Sequence, residues 1–504
     1  MTPWIRLLPL LLLLGSRPLF ADSGFRSLPA AVELSYEELT LAAGEDMGLI
    51  GLGLRAHAYE DWHLGAAVYG AARGERGGFF TGGLSAAWRP PLGADWRLDT
   101  GVFVGAGGGG SAPQGGGLML RGHAGLALPT RLGDLGLGWS WIEFPNGSIS
   151  SDQVAVTFSR PLELFLRDGW RGGEPVDVDE AFPDRYFHPL DQRFDAVIIA
   201  TRPRAGTAGV DGRPHDEANA LVGVAWESGL GEGMALELSL AGAAGGGADG
   251  YAQIMTDLGY RMPLAPGDVL RLSGGVGLGG GGRVDTGGGF LVRGALVWEH
   301  ELGHGFHSRL GGGMTGAPGG GYRTTDLLVG LGRSFRVPVA TGGWRVPGSS
   351  YYLPRDLRVR VYQQWESAPD GLRRKGGEAE QRLGLGGAAI DVRVGRHGFL
   401  SGHALAAHDG GAGGYAVGLA GGGLRRALSG GVDLELELLA GAAGGGGVDV
   451  DGGVVGQATV TLGLELHRAA RLRVGYGRSG PLSRGLDRDV LRVGVGVRFS
   501  GLAR

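Results

Sequence analysis

The chain has 504 residues, of which 106 are glycine and none is cysteine; 43% are hydrophobic and 19% charged, and the formal net charge is -4. Because each glycine inside a helix costs about 1 kcal/mol relative to alanine, this composition excludes a fold of long helices. The glycines do not fall at every third position, which excludes collagen, and the near-balanced charge gives no indication of nucleic-acid binding.

Residues 1–21 resemble a secretory signal peptide. Arg6 supplies the positive charge, Leu7–Leu14 form the apolar stretch, and Ala21 ends a plausible cleavage site. This apolar stretch is too short for a spanning helix, which needs about 20 residues. No later segment has 18 consecutive apolar residues, so we expect an exported chain without membrane-spanning helices.

A hairpin framed by glycines occurs three times, at 107–117, 279–289 and 444–453, with starts about 170 residues apart. Each copy lies within a stretch of alternating, strand-like sequence. We therefore divide the chain into three repeats of about eight strands, separated by two stretches rich in proline, tryptophan, tyrosine and aspartate, which are linkers or periplasmic plugs. The repeats are 31–161, 195–338 and 356–501, and the linkers are 162–194 and 339–355.

The strand-like segments alternate apolar residues with charged residues or glycine, as in 432–438, where valine and leucines occupy one face and acidic residues the other. In a membrane barrel the apolar face meets lipid and the other face meets the interior. A soluble sheet also alternates, but export, the strand number and the interior glycines favour a membrane barrel. The charged residues predicted to face the interior are Arg97, Asp99, Arg271, Asp433, Glu435, Glu437, Arg492 and Arg498.

Turn lengths predict an orientation. If the chain enters the barrel from the periplasm, even-numbered connections are short periplasmic turns and odd-numbered ones are longer outer loops. The even connection at 129–134 is compact, whereas the odd connections at 201–219 and 367–380 are longer and polar.

Each repeat ends in an alternating strand closed by an aromatic residue, at Phe158, Phe335 and Phe499. These strands resemble the closing strand of bacterial outer-membrane β-barrel proteins, whose final aromatic is part of the signal read by the barrel-assembly machinery. The resemblance implies an outer-membrane location, contact with outer-membrane lipid and lipopolysaccharide, and the assembly machinery as a partner in biogenesis. Residues 500–504 follow Phe499, whereas the pattern usually ends the chain at the aromatic.

The predicted fold is all-β, a transmembrane antiparallel β-barrel. Three repeats of about eight strands fit either three tandem eight-stranded barrels or one barrel of about 24 strands. We favour three barrels, because a linker lies at each repeat boundary. Eight strands leave an interior that side chains fill, whereas 24 would enclose a wide aqueous channel. We expect a structural or transport (porin-like) role, without catalysis, cofactor or metal.

Two other functions are possible. His300, Glu301 and His304 match H-E-x-x-H, in which two histidines one helical turn apart bind zinc and the glutamate acts as base; this suggests an exported zinc metallopeptidase. Gly303 weakens a helix there, and the other repeats carry a short turn at this place, so we favour a hairpin turn. A secreted, soluble, glycine-rich β-repeat protein is the other alternative.

Overall fold

The computed structural model describes residues 24–41, 44–93, 95–170, 172–341, 351–372, 380–467 and 469–504. In this part of the chain the secondary structure consists of antiparallel strands and one four-residue helix, α1 (Val178–Ala181). The predicted all-β antiparallel fold is confirmed. The predicted signal peptide, 1–21, lies outside the described residues.

The first group of strands closes into a ring, named ring 1. Consecutive strands pair antiparallel, with the two-residue β5 extending beside β6, and β1 pairs with β9, where Leu34 lies opposite Phe158. The strands are β1 (Arg26–Thr40), β2 (Asp46–Tyr59), β3 (Trp62–Arg73), β4 (Phe80–Trp88), β5 (Pro91–Leu92), β6 (Trp96–Gly108), β7 (Leu118–Pro129), β8 (Asp134–Glu143) and β9 (Ser150–Asp168).

The second group closes in the same way and is named ring 2. It follows the short strand β10 (Val176–Asp177) and the helix α1, and its first strand pairs with its last, where Phe194 lies opposite Arg333. The strands are β11 (Tyr186–Pro203), β12 (Asn219–Gly231), β13 (Met234–Gly246), β14 (Ala252–Ala265), β15 (Asp268–Gly280), β16 (Phe290–Gly303), β17 (Phe306–Gly316) and β18 (Arg323–Thr341).

The third group, named ring 3, closes through pairing of its first strand with its last, where Val361 lies opposite Val495. Two short pairings join it to neighbouring segments: β10 pairs with β19, and residues 499–501 pair with the end of β9. The strands are β19 (Tyr351–Leu372), β20 (Glu380–Val394), β21 (Gly398–Asp409), β22 (Ala416–Ala427), β23 (Val432–Gly444), β24 (Val454–Glu465), β25 (Ala470–Pro481) and β26 (Arg488–Ala503).

The strands run past the predicted repeat boundaries. β9 continues to Asp168, β11 begins at Tyr186, β18 continues to Thr341 and β19 begins at Tyr351, so the ends of both predicted linkers belong to strands. Residues 342–350 of the second linker lie outside the described residues. The predicted strand-closing aromatics lie inside the strands instead: Phe158 in β9, Phe335 in β18 and Phe499 in β26. Backbone pairing continues beyond them, because N–H and C=O groups need partners whatever the side chain is.

Side-chain burial follows the strand period of two. In β23 the acidic residues are buried inside the ring, whereas Leu434, Leu436 and Leu438 on the outer face are 38%, 47% and 59% exposed. Successive side chains of a strand point to opposite faces, so one segment carries both a charged interior and an apolar exterior. A polar interior with an apolar exterior is the arrangement of membrane barrels.

The two ends of each ring differ. At one end, here named the short-turn end, lie the first residue of each ring and tight turns such as 60–61 and 232–233; at the other, the long-loop end, lie the glycine hairpins. Inside each ring, the long-loop end is filled by an apolar cluster that includes Phe103 in ring 1, Tyr251 in ring 2 and Tyr415 in ring 3. The rest of each interior is predominantly polar and charged.

The three rings meet at the short-turn end in a second apolar cluster. Phe165 of ring 1, Phe187 of ring 2 and Tyr352 of ring 3 are buried together there. The ring centroids of Phe165 and Phe187 are 5.0 Å apart in an edge-to-face arrangement, a favourable aromatic geometry. Part of the first linker covers this junction through Val178 and Phe182.

Candidate functional site: the interiors and junctions of the rings

The interior of ring 3 contains a network of buried arginines and carboxylates. Arg358 lies 2.5 Å from both Asp391 and Glu435, and Arg360 lies 2.6 Å from both Asp391 and Glu437. Removing one member of such a network leaves an uncompensated buried charge, so its members depend on one another. The network crosses the ring, because β19 and β23 are not neighbouring strands.

Rings 1 and 2 contain similar networks. In ring 1, Arg121 lies 2.8 Å from Glu37, and in ring 2, Arg309 lies 2.7 Å from Glu237. All four side chains are buried. Charged residues therefore bridge strands across each interior, as expected where a narrow ring must bury its inward polar residues.

The structure places seven of the eight predicted interior residues inside the rings, at 0–7% exposure. Arg97 is different: its side chain is 49% exposed at the short-turn end, 3.9 Å from Asp134. The seven buried residues are Asp99 in ring 1, Arg271 in ring 2, and Asp433, Glu435, Glu437, Arg492 and Arg498 in ring 3.

Within ring 3, Asp391, His403 and Glu437 bring ligand atoms within 4.8 Å of one another, a group of the kind that can hold a metal ion. The guanidinium of Arg360 hydrogen-bonds to all three side chains, at 2.6 Å to each carboxylate and 3.0 Å to the histidine. The arginine thus supplies the positive charge that a cation would otherwise supply, and we assign the cluster to the structural network.

The first linker places Trp170 at the short-turn end of ring 3. Arginine guanidinium carbons surround its indole, with Arg358 at 5.3 Å and Arg498 at 5.4 Å from the ring centroid. The indole N–H donates to the carbonyl of Leu357 at 2.8 Å, and the carboxylate of Asp356 accepts from the backbone N–H of Gly172 at 3.2 Å. The linker therefore closes one mouth of ring 3, and cation–π contacts with the arginines stabilise the indole there.

At the long-loop end the three rings meet through glycines. A Cβ atom placed on Gly250 of ring 2 would lie 2.7 Å from the backbone N of Gly445 in ring 3, and one on Gly414 of ring 3 would lie 2.8 Å from that of Gly109 in ring 1. Gly78 of ring 1 meets Gly281 of ring 2 in the same way. Each glycine hairpin thus touches the loop before the fourth long strand of a neighbouring ring. The hairpin of ring 2 touches ring 1, that of ring 3 touches ring 2, and that of ring 1 touches ring 3.

Contacts within each ring complete a circle, named the glycine circle. A Cβ atom placed on Gly281 would approach the carbonyl oxygen of Gly250. In the same way, one on Gly445 would approach the carbonyl oxygen of Gly414, and one on Gly109 that of Gly78. Each of the six glycines would therefore carry a Cβ within 2.8 Å of a backbone atom of the next glycine in the circle. All six have positive φ, from +86° to +119°, where side chains other than glycine are strained. Glycine at these positions therefore permits close backbone contact between the rings. The members are Gly78, Gly281, Gly250, Gly445, Gly414 and Gly109.

Hydrogen bonds reinforce the circle. The backbone N–H of Gly77 donates to the carbonyl of Gly287 at 2.8 Å, and that of Gly413 donates to the carbonyl of Gly115 at 3.2 Å. The side-chain amide of Gln114 also donates to the carbonyl of Gly413 at 3.0 Å. These bonds join ring 1 to ring 2 and ring 3 to ring 1.

Neither a protein-family model nor a curated protein matches the chain. Among solved structures, the siderophore receptor PirA from Pseudomonas aeruginosa is similar over 94% of this chain and 80% of its own, at 10% identity and a TM-score of 0.27. The outer membrane protein opdK from the same organism matches over 94% and 98%, at 10% identity and a TM-score of 0.21. OccK2 (OpdF), also from P. aeruginosa, matches over 96% and 99%, at 12% identity and a TM-score of 0.22.

The matched structures belong to the class that the closing strands resemble, bacterial outer-membrane β-barrel proteins. Among the described residues, no helix has the length and apolar character needed to cross a membrane.

The H-E-x-x-H segment does not form the zinc geometry. His300 and Glu301 lie in strand β16, and His304 occupies the following turn with a φ of +53°. The zinc motif needs both histidines one turn apart on a helix, and a strand followed by a tight turn does not provide that arrangement. His300 Nδ1 contacts Asp268 at 2.9 Å. The helix that the zinc-peptidase alternative requires is therefore not formed at 300–304, and the segment forms a hairpin turn.

Several residues at these sites were not predicted from the sequence. Arg358 and Arg360 pair with the predicted acidic residues of β23, and Trp170 covers the same ring. Arg358 and Arg360 are two positions apart in β19, so both point inward. That spacing was visible in the sequence; their pairing across the ring was not.

Proposed function

We propose that this protein is a structural protein of the bacterial outer membrane, made of three eight-stranded barrels in one chain. The observation that supports this proposal most directly is the glycine circle, which links the three rings in cyclic order through backbone contacts. A head-to-tail contact of this kind is heterologous, and it closes after three units instead of continuing into a filament. One chain thereby has the plan of a trimer whose subunits are covalently joined.

Strand pairing supports three barrels over one wall of about 24 strands. Residues 155–158 of β9 pair with β1 of their own ring, and β18 and β26 likewise pair with β11 and β19. A single wall would require each last strand to pair with the next ring along the chain instead. The contact between β26 and β9 spans three residues at the short-turn end.

The outer faces support a lipid environment. Leucines, valines and tryptophans on the outside of all three rings are exposed, among them Trp139, Leu296 and Leu436 at 53%, 47% and 47%. In water, an exposed apolar surface repeated on every ring would drive association. In hydrocarbon it is the favoured surface, while ring closure gives the edge backbone groups their partners. Outer-membrane lipid, lipopolysaccharide and the barrel-assembly machinery are the partners that this proposal implies.

The filled interiors support a structural role over porin-like transport. An apolar cluster occupies the long-loop end of each ring, arginine–carboxylate networks occupy the interior, and Trp170 closes the other mouth of ring 3. Eight strands leave room for little more than side chains. Water and solutes therefore meet packed side chains at the long-loop end of every ring.

Electrophoresis and planar-bilayer recording test the proposal together. We expect unheated protein refolded in detergent to migrate differently from heated protein, and reconstituted protein to give no stable channel. A large, stable conductance from the folded protein would contradict the three filled barrels. Folding in buffer without detergent or lipid would contradict the membrane location.

A further inference from the structure

Ring 2 differs from ring 3 at the short-turn end, because a cavity of about 540 Å³ opens there. It is lined by residues of β11 and of β14 to β18, by the turns between β14 and β15 and between β16 and β17, and by Arg504 at the end of the sequence. This volume lies within the range of small-molecule sites, about 300–1,000 Å³. Ser334 and His307 both line it.

Three side chains at the cavity form a hydrogen-bonded series. Ser334 Oγ lies 3.2 Å from His307 Nδ1, and His307 Nε2 lies 2.9 Å from Asp195 Oδ1. His307 and Asp195 are 3% and 1% exposed, whereas Ser334 is half-buried beside the cavity. A hydroxyl within reach of a histidine that a buried carboxylate orients is the arrangement that activates serine as a nucleophile.

Local structure holds this series in place. Asp195, His307 and Ser334 lie on the adjacent strands β11, β17 and β18, and Gly332 lies opposite both Asp195 and His307. A Cβ at Gly332 would overlap the Asp195 carboxylate, so the glycine leaves room for it. Arg309 binds the second carboxylate oxygen at 3.3 Å, which fixes the orientation of the acid.

Groups that recognise a substrate also line the cavity. Arg193 lies directly opposite Ser334 in the β11–β18 pairing and also lines the cavity, where its guanidinium lies 2.7 Å from the Glu299 carboxylate. Phe306 and Phe335, the neighbours of His307 and Ser334 in the sequence, also line the cavity.

We propose that Ser334, His307 and Asp195 form a catalytic triad that hydrolyses carboxylic esters, an activity beyond the structural role. Ser334 Oγ forms a bond to the ester carbonyl carbon while its proton passes to His307 Nδ1. The carbon–alkoxide bond then breaks, and the alcohol leaves with that proton. Water attacks the acyl-serine and gives its proton to His307; the acid is released as Ser334 recovers the proton. Asp195 positions the imidazole throughout.

A fluorophosphonate probe tests the proposal on the full chain refolded in detergent, with the labelled residue located by mass spectrometry. We expect labelling at Ser334, and its loss in Ser334→Ala. We expect His307→Gln to slow labelling by about 100-fold or more, the size of a general-base contribution. Ser228→Ala is the matched control: Ser228 is a half-buried serine of the same ring that bonds Gln192 at 2.8 Å, and its removal should leave labelling unchanged.

Hydrolysis of p-nitrophenyl esters by the same variants provides the second readout. Each variant is first checked for the mobility shift of the folded form. Lack of labelling on folded wild-type protein would overturn the triad whatever the variants do. Labelling of folded His307→Gln at the wild-type rate would overturn it as well, because the serine would then react without its base.

Discussion

Gly250 of ring 2 touches Gly445 of ring 3 backbone to backbone, with 2.7 Å between a Cβ built on Gly250 and the Gly445 nitrogen. The contact leaves no room for a side chain, and its two equivalents join the other pairs of rings. Hydrophobic burial cannot be the source of its strength, because glycine has no side chain to bury. Close approach of backbones at the three junctions, together with hydrogen bonds between ring 1 and each of the other rings, holds the rings together at this end.

Gly250→Ala tests the glycine circle. Gly250 has a φ of +87°, so alanine costs about 1–2 kcal/mol in backbone strain alone. Overlap with Gly445 adds about 1–3 kcal/mol, the usual cost of overpacking. We expect a lower urea midpoint for unfolding in detergent and faster proteolysis of the long-loop end.

Gly206→Ala is the matched control, because Gly206 also has a φ of +87° but a Cβ there would meet nothing within 4 Å. It carries the backbone strain without the inter-ring overlap. Equal destabilisation by the two substitutions would show that the contact between rings contributes nothing.

The sequence predicted what is local. Alternation in 432–438 separates inward acids from outward leucines, because the period of two is a property of a single strand. The three glycine hairpins were also visible, since composition and spacing mark them. Their contacts with Gly78, Gly250 and Gly414 were not, because the packing of whole rings decides which backbone approaches which.

The side-chain pairs between residues far apart in the chain could likewise not be predicted from the sequence. Arg358 reaches Glu435 across the ring, and only the closed topology brings the two together. Trp170 lies in a linker whose sequence gives no sign of the ring that it covers. The ends of the strands were misplaced at Phe158 and Phe499, because a backbone ladder continues past an aromatic as readily as past any other residue.

Arg360→Met tests the interior network of ring 3. Arg360 is 3% exposed and lies 2.6 Å from both Asp391 and Glu437, so its removal leaves two buried carboxylates without this cation. We expect a loss of about 3–5 kcal/mol in the free energy of unfolding. A second substitution, Glu437→Gln, should recover part of that loss by removing one of the charges.

Arg73→Met is the control for loss of an arginine. Arg73 pairs with Glu38 at 2.5 Å, but its side chain is 66% exposed to the surroundings. Exposed ion pairs contribute little to stability, so the urea midpoint should stay near that of the wild type. If Arg360→Met has as small an effect, the interior network is not a source of stability.

Trp170→Ala tests the closure of ring 3. The indole contacts Arg358 and Arg498 through cation–π interactions worth about 0.5–2 kcal/mol each, and its loss uncovers the arginines at that mouth. We expect several-fold faster modification of these arginines by phenylglyoxal, measured by mass spectrometry. Trp139→Ala, on the outer face of β8, should leave their modification rate unchanged. Wild-type rates in folded Trp170→Ala would show that the linker does not cover the ring.

Tyr415→Phe tests the buried hydroxyl next to the glycine circle. Burial raises the pKa of Tyr415 above its ordinary value, and Glu366 adds to the effect, while the hydroxyl accepts a hydrogen bond from Arg488 at 3.1 Å. Below about pH 10 the phenol is protonated in both the folded and the unfolded chain, so it adds no pH dependence. Above that pH the unfolded chain ionises first, and the folded state loses stability as pH rises, by up to about 1.4 kcal/mol per pH unit from this group.

The phenylalanine variant lacks this ionisable group, so its urea midpoint should fall less steeply than that of the wild type between about pH 10 and pH 11. Phe79 occupies the equivalent place in ring 1, directly before the fourth long strand, so the corresponding position of another ring holds a buried phenylalanine. Measuring the difference between the two proteins cancels the contributions of other alkaline groups. Parallel curves for the two proteins would show that the Tyr415 hydroxyl ionises as readily in the folded chain as in the unfolded one.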